Sequence, residues 1–147
     1  MPTTDTSDPT LLADALRAPL LRVARRLRQE AQRAGVSALD ALVLGQIKRK
    51  PGVGVCDLAD AEQMSRPAMS GHVKRLEAAG WIVREACIDD GRRTGLEITE
   101  TGSAQLDLIR QLRNDWLAAR LAKLTPQARD ALNAAQGPLL ELLSLEP

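Results

Sequence analysis

Apolar residues recur near the start of the chain at steps of three and four positions, the spacing of one face of an α-helix. The run comprises Leu12, Leu16, Leu20, Val23 and Leu27. It follows Asp8 and Pro9, a typical N-cap and first helical residue. Pro19 lies within the run and is expected to bend the helix. The pattern predicts a long helix from residue 9 that ends at Gly35, after flexible polar residues 1–8.

Shorter elements follow this helix. A second helix is predicted over 38–50, with its inward residues at Leu39, Leu42, Val43 and Ile47. The glycine-rich "KPGVGV" ends it and leaves a short extended segment over 53–55. A short helix is then predicted over 57–63, and a further helix over 66–79 after a turn at Met64 and Ser65. Ser65 is a natural N-cap, and Gly80 ends the helix.

In the rest of the chain, apolar and polar residues first alternate, as in strands, and then return to helical spacing. Residues 81–88 and 94–98 read as two strands joined by the charged turn "DDGRR". A long helix follows Thr99 to about residue 123, and Thr125 starts a last helix that is kinked near Gly137. This order predicts a mainly α fold with a small antiparallel β wing. It comprises a winged helix-turn-helix domain over 37–99 and a helical dimerisation region over 9–36 and 100–147.

Composition limits the function classes. The chain of 147 residues has two Trp and no Phe or Tyr, so we expect an aliphatic core, and the composition argues against an aromatic platform for single-stranded nucleic acid. The net charge is only +1. However, residues 17–50 carry nine Lys or Arg against two acidic residues, whereas residues 96–147 carry five against seven. The basic N-terminal half permits an anionic partner.

The sequence gives little support for catalysis, metal binding, a disulfide framework or membrane insertion. One histidine, no paired carboxylates in a cleft and no phosphate-binding glycine motif predict that the protein is not an enzyme, with no cofactor and no metal site. Cys56 and Cys87 cannot form a disulfide framework. No apolar run is long enough to cross a membrane, and "MPTTDTSDPT" is not a targeting leader, so we expect a cytoplasmic protein.

Several motifs together resemble the MarR family of bacterial transcriptional regulators. They are "LADAEQMSRPAMSGHVKRLEAAGWIVRE" followed by "DDGRRTGLEITETG", and the similarity covers residues 37–102. The resemblance implies a homodimer in which the terminal helices pair and two winged domains read a pseudo-palindromic operator on double-stranded DNA. It also implies a repressor that a small-molecule effector releases. The chain departs from the family pattern at Glu62 and Gln63, where an apolar residue and a glycine are usual.

The helix that begins at Arg66 is the expected recognition helix. Met69, Val73 and Leu76 are expected to pack inward. Arg66 suits guanine, because its guanidinium can pair with two acceptors on that base. His72 is either a phosphate ligand or an ordinary surface residue. The expected DNA-binding residues of this helix are Ser65, Arg66, Pro67, Ser70, Gly71, His72, Lys74 and Arg75.

The charged turn between the strands is the second expected contact with DNA. Arg92 and Arg93 are expected to enter the minor groove, where the negative potential is strongest. Asp90 is placed to hold Arg92 in an extended pose. A solvated hairpin tip without a function is the alternative. Lys48, Arg49 and Lys50 at the end of the second helix are the candidates for phosphate contacts.

Leucines on the end helices predict dimerisation, since one chain of this layout cannot bury all of them. They are Leu12, Leu16, Leu20, Leu139, Leu142 and Leu143. Two alternatives to an operator-binding regulator stay open. One is a helical dimer that binds a ligand or a partner and whose winged module reads no specific operator. The other is a redox sensor that uses Cys56, which lies just before a predicted short helix, or Cys87.

Overall fold

The computed structural model describes residues 8–86 and 94–145 and contains six helices and two strands over these residues. The order is α1 (Pro9–Arg33), α2 (Ala38–Arg49), α3 (Val55–Ala61), α4 (Arg66–Ala78), β1 (Ile82–Ala86), β2 (Thr94–Ile98), α5 (Glu100–Leu121) and α6 (Pro126–Ser144). This is the winged helix-turn-helix layout expected from the sequence, and the fold class is confirmed. None of the described helices is long and apolar enough to cross a membrane.

The helix starts follow from side-chain caps. Ser37, Ser65 and Thr125 each accept a hydrogen bond from the backbone N–H three residues later, at 3.1, 3.3 and 3.2 Å. Such caps satisfy amides that a helix start leaves without a partner. Asp8 caps α1 in the same way through the N–H of Thr10 at 2.9 Å. The helix starts predicted from these four capping residues agree with the structure.

Two details differ from the sequence expectations. Helix α3 begins at Val55 rather than at residue 57, and only Val53 pairs with β2, through a single bridge to Leu96. Pro19 and Pro138 lie inside α1 and α6, and the bends expected there stay predictions. In α2, Leu39 and Leu42 are 37% and 41% exposed rather than inward. The buried face of α2 is instead formed by Val43, Leu44 and Ile47.

The described residues form two compact units, one up to Arg113 and one from Asn114 onward. The core of the first unit is aliphatic and lies between α2, α3, α4 and the hairpin: Val43, Leu44, Ile47, Leu58, Met69, Val73, Leu76, Ile82 and Leu96. Within the same unit, α5 is tied to α1 by two side chains. Gln105 Nε2 donates to the carbonyl of Ala34 at 2.8 Å, and Arg113 Nε donates to the carbonyl of Leu27 at 3.0 Å.

The junction between the hairpin and α5 is closely packed. Thr99 joins it to the end of α4, because its Oγ1 donates to the carbonyl of Gly80 at 2.7 Å and its N–H donates to the carbonyl of Trp81 at 2.9 Å. One turn later, a Cβ atom on Gly102 would lie 2.1 Å from the same Trp81 oxygen. Only glycine fits at this position of α5 without a shift of the backbone.

Candidate nucleic-acid interface

Helix α4 has one buried face and one exposed face. Met69, Val73 and Leu76 are at most 1% exposed, as predicted, and they anchor the helix in the core. The other side carries the polar residues expected to meet DNA. Ser65, Arg66, Pro67 and Lys74 are exposed, and Ser70 and Gly71 are half-buried. The N-terminal turn of α4 therefore presents an arginine and a small polar face to solvent, as a helix that reads the major groove requires.

Two of the expected DNA contacts are instead engaged within the chain. Arg75 donates to the Asp40 carboxylate through both Nε and Nη2, each at 3.2 Å. His72 Nδ1 lies 2.5 Å from Asp40 Oδ1. Asp40 lies in the first turn of α2, so the three residues connect α2 to the exposed edge of α4. We call this group the Asp40 cluster. Contact of His72 or Arg75 with DNA stays a prediction.

The hydrogen on His72 can be assigned from its neighbours. A carboxylate only accepts hydrogen bonds, so the imidazole must carry its hydrogen on Nδ1 and donate it to Asp40. Arg75 Nη2 lies 2.6 Å from the same Nδ1, but it cannot donate to a nitrogen that already carries a hydrogen. Both groups are therefore donors that converge on one oxygen of Asp40, and the imidazole is held in a single orientation.

The ionisation of Asp40 follows from these contacts. Burial raises the pKa of its carboxyl, but the hydrogen bonds from Arg75 and His72 and the positive charge of Arg75 outweigh burial and leave the pKa below its usual 3.8. The hydrogen bond and the charge of Asp40 raise the pKa of Arg75 in return. At neutral pH the pair is an ionised carboxylate facing an ionised guanidinium.

The turn before α4 is formed by the two residues that depart from the family pattern. Gln63 has a φ of 50° and is the only non-glycine residue with a positive φ in the part of the chain that the structure describes. Glu62 accepts a hydrogen bond from the side-chain amide of Gln46, which ties the end of α3 to α2. The chain thus makes the usual turn with a strained glutamine and a side-chain anchor in place of glycine.

The wing is described only in part. β1 and β2 are antiparallel, and their register runs from Ile82 opposite Ile98 to Ala86 opposite Thr94. Arg84 Nε donates to Glu77 Oε2 at 2.8 Å and so ties β1 to α4. The expected groove-entering residues Arg92 and Arg93, their holder Asp90, and Cys87 lie outside the described residues. Their roles stay predictions from the sequence.

The basic side chains at the end of α2 have different surroundings. Lys48 Nζ donates to Ser103 Oγ of α5 at 3.0 Å. Arg49 and Lys50 instead line an open groove of about 490 Å³ beside α3, together with Gln46, Val53, Asp57, Leu58 and Ala61. Of the three expected phosphate contacts, Lys48 thus bonds across to α5, whereas Arg49 and Lys50 are exposed at the groove.

The end helices expose apolar side chains. Leu16 and Leu20 of α1 are 39% and 42% exposed, and Leu12 is half-buried. In α6, Leu139, Leu142 and Leu143 are 37%, 59% and 85% exposed. No described residue of α6 is buried within the chain. A helix of 19 residues that buries nothing gains little from its own packing, since amphipathic helices are stabilised mainly by tertiary contacts.

Comparison with known proteins assigns the chain to a family. The MarR family model matches residues 34–93. The solved structure of a putative transcriptional regulator from Pseudomonas aeruginosa is 33% identical, has a TM-score of 0.82, and matches over 97% of this chain and 99% of that one. The chain belongs to the MarR family. The resemblance inferred from the sequence motifs is therefore confirmed.

Two further similar proteins carry names that state a role or a bound molecule. An HTH-type transcriptional repressor of Mycobacterium tuberculosis is 29% identical over 116 residues, which are 76% of this chain and 84% of that protein. A mutant of MepR from Staphylococcus aureus, solved bound to an oligodeoxyribonucleotide, shares the fold with a TM-score of 0.67. It is 18% identical and matches over 90% of this chain and 97% of that one. The chain is thus a MarR-family transcriptional regulator, and its relatives are regulators rather than enzymes.

Sequence reasoning missed one member of the candidate interface. Asp40 was counted only as an acidic residue in a basic region, although it joins two expected DNA contacts. A faint signal was present, because an acidic residue three positions after the N-cap Ser37 is typical of a first helical turn. Its partners are 32 and 35 positions away, and nothing in the sequence pairs them.

Proposed function

We propose that this MarR-family regulator is a homodimeric repressor that acts in the cytoplasm and binds a pseudo-palindromic operator through α4. The observation that carries the proposal is the two-faced character of α4. Its apolar face is fully buried, whereas its N-terminal turn exposes Arg66 beside small residues. The DNA-bound MepR mutant supports the same use of this fold. Repression is supported by the name of the M. tuberculosis relative.

The proposed contacts are with base edges, with phosphates and with the minor groove. Arg66 reads a guanine edge in the major groove, and Ser70 and Gly71 allow the backbone to approach the bases closely. Ser65, Pro67 and Lys74 lie beside the phosphates. In the wing, Arg92 and Arg93 enter the minor groove and Asp90 holds Arg92. A small molecule that binds the regulator releases it from the operator.

A binding-site selection followed by fluorescence anisotropy tests the operator-reading role. Arg66→Ala should weaken operator binding by about 1–3 kcal/mol per half-site and relax the preference at one base position. Arg129→Ala in α6 is the matched control, since it removes an exposed arginine from another helix and should leave the selected sequence unchanged. If the wild-type protein selects no sequence above random duplex, the alternative of a helical partner-binding dimer replaces this proposal.

The wing is tested by two variants with opposite expectations. Arg92→Ala should weaken binding and make the salt dependence shallower by about one unit of log–log slope per wing. Asp90→Ala removes a negative charge, which Coulomb's law alone predicts to strengthen binding to DNA. If Asp90 holds Arg92, binding weakens instead, because Arg92 then loses side-chain freedom worth up to about 2 kcal/mol on entering the groove. Tighter binding by a well-folded Asp90→Ala variant would refute the holding role.

The exposed leucines of α1 and α6 support the proposed dimer. Pairing two chains covers them and spaces the two recognition helices about one DNA turn apart, roughly 34 Å. Sedimentation should give a dimer at micromolar concentration. Leu143→Asp places a charge at the most exposed of these leucines and should shift the protein toward the monomer. Asn133→Asp on the same helix adds the same charge at an exposed polar position and should remain dimeric.

A further inference from the structure

The Asp40 cluster holds a cation that the recognition helix would otherwise offer to DNA. Both oxygens of Asp40 are engaged by Arg75, and one of them is also engaged by His72. The Asp40 side chain is only 12% exposed, whereas that of Arg75 is 58% exposed. The guanidinium is therefore accessible from solvent while its Nε and one Nη are already committed to a carboxylate of the same chain.

The geometry around Gly71 keeps Arg75 along the surface of α4. A Cβ atom on Gly71 would lie 3.8 Å from Arg75 Nη1, so the side chain folds back over the glycine one turn earlier. Two donors in a fixed fork match the two oxygens of a carboxylate, as they would match two oxygens of a phosphate. Asp40 thus occupies the position that a DNA phosphate would otherwise take on this arginine.

We propose that Asp40 is a positioning residue that determines specificity: by holding Arg75 and His72, it keeps both away from the phosphates of DNA. The proposal rests on the operator-binding function proposed above and refines it, because it replaces the sequence-based prediction that His72 and Arg75 contact DNA. Non-specific affinity for DNA is almost entirely electrostatic, so each cation withheld from the backbone lowers it. Base contacts made by Arg66 are unaffected. The Asp40 cluster therefore raises the ratio of specific to non-specific binding.

A double-mutant cycle on the salt dependence of binding tests this role. The four proteins are the wild type, Arg75→Gln, Asp40→Asn and the double variant, each measured between about 50 and 200 mM salt on the selected operator and on random duplex. In the wild type, Arg75→Gln should leave the log–log slope unchanged. In the Asp40→Asn background, Arg75 is released, so the slope should be steeper by about 0.9 per subunit, and Arg75→Gln should abolish this increase.

The cycle separates positioning from simpler effects. If Asp40 acted only through its charge, or only by supporting the fold, removing Arg75 would change the slope equally in both backgrounds. Lys74→Gln is the neighbouring control, since Lys74 is exposed on the same helix and its removal should make the wild-type slope shallower by about 0.9 per subunit. The Asp40→Asn variant should also bind random duplex more tightly. The ratio of its operator affinity to its affinity for random duplex should therefore be lower than in the wild type.

Several results would overturn the inference. A shallower slope for Arg75→Gln in the wild-type background would assign Arg75 to a phosphate contact. An unchanged slope for Asp40→Asn would show that Arg75 is not withheld. Circular dichroism verifies folding of each variant, and a shallower slope for Arg75→Gln overturns the inference even if Asp40→Asn does not fold. If Arg75→Gln behaves as expected but no sequence is selected over random duplex, the operator-reading proposal fails and the specificity role fails with it.

Discussion

Replacing Gly102 with alanine is the sharpest test of how α5 is joined to the winged domain. In most helix positions this change stabilises a protein, by up to about 1 kcal/mol, because alanine has the higher helix propensity. At Gly102 the new Cβ would lie 2.1 Å from the carbonyl oxygen of Trp81 and 2.9 Å from Ile98 Cγ1. The first of these atoms belongs to the backbone and cannot rotate away.

The size of the effect follows from what must move. Contacts of this kind are essentially never shorter than 3.0 Å, so α5 and the carbonyl of Trp81 must separate by about 1 Å. Overpacking of this kind costs about 1–3 kcal/mol, and loss of the two Thr99 hydrogen bonds at the same junction adds about 1 kcal/mol each. After the gain in helix propensity of up to about 1 kcal/mol, we expect Gly102→Ala to lower the free energy of unfolding by about 2–4 kcal/mol.

Urea denaturation at a fixed protein concentration measures this change, because oligomerisation makes apparent stability depend on concentration. Gly45→Ala in α2 is the matched control. Its Cβ would meet only Arg49 Nη1 at 3.8 Å, an ordinary contact, so this variant should be more stable than the wild type by up to about 1 kcal/mol. If Gly102→Ala is as stable as Gly45→Ala, the close packing at the junction is not a constraint and the reasoning fails.

Three further predictions follow from the site. Gln63→Gly should raise the free energy of unfolding by about 1 kcal/mol in urea melts, because glycine relieves the positive φ; a loss of stability would contradict this. Gly71→Ala should stabilise the fold in thermal melts and yet weaken operator binding in anisotropy, whereas unchanged binding would show that no backbone approaches DNA there. The pKa of Asp40 is lowered on folding, so its contribution to stability is present above pH 3.8 and is lost as the pH falls through the folded value. The stability gap between wild type and Asp40→Asn should therefore shrink on acidification, and a gap independent of pH would refute this.

The sequence was sufficient for the elements whose determinants are local. Capping residues such as Ser65 gave the helix starts, and the alternation before Thr99 gave the bounds of β2 correctly. Rotation of α2 about its axis was not predictable in the same way. That helix is apolar around much of its surface, so periodicity alone favoured Leu39 and Leu42 over Leu44, and only the packing of α4 against it decides.

The residues of the candidate site show the same difference between local determinants and long-range packing. The inward residues of α4 follow a regular period and were predicted correctly. The engagement of His72 and Arg75 by Asp40 was missed, because it depends on where α2 crosses α4, and that crossing is set by long-range packing. The positive φ of Gln63 was also hidden, since glutamine carries none of the sequence signal by which glycine marks such a turn.

The tight junction at Gly102 couples the winged domain rigidly to the first part of α5. Residues 100–113 belong to the same compact unit as the winged domain, and a helix of that length extends about 21 Å. If this segment tilts by about 10°, its far end moves by about 3.5 Å, close to the 3.4 Å rise per phosphate of one strand along the DNA axis. Because Gly102 couples the segment to the winged domain, such a tilt would turn the recognition helix with it. With a soft joint in place of Gly102, the same tilt would be absorbed before it reached α4.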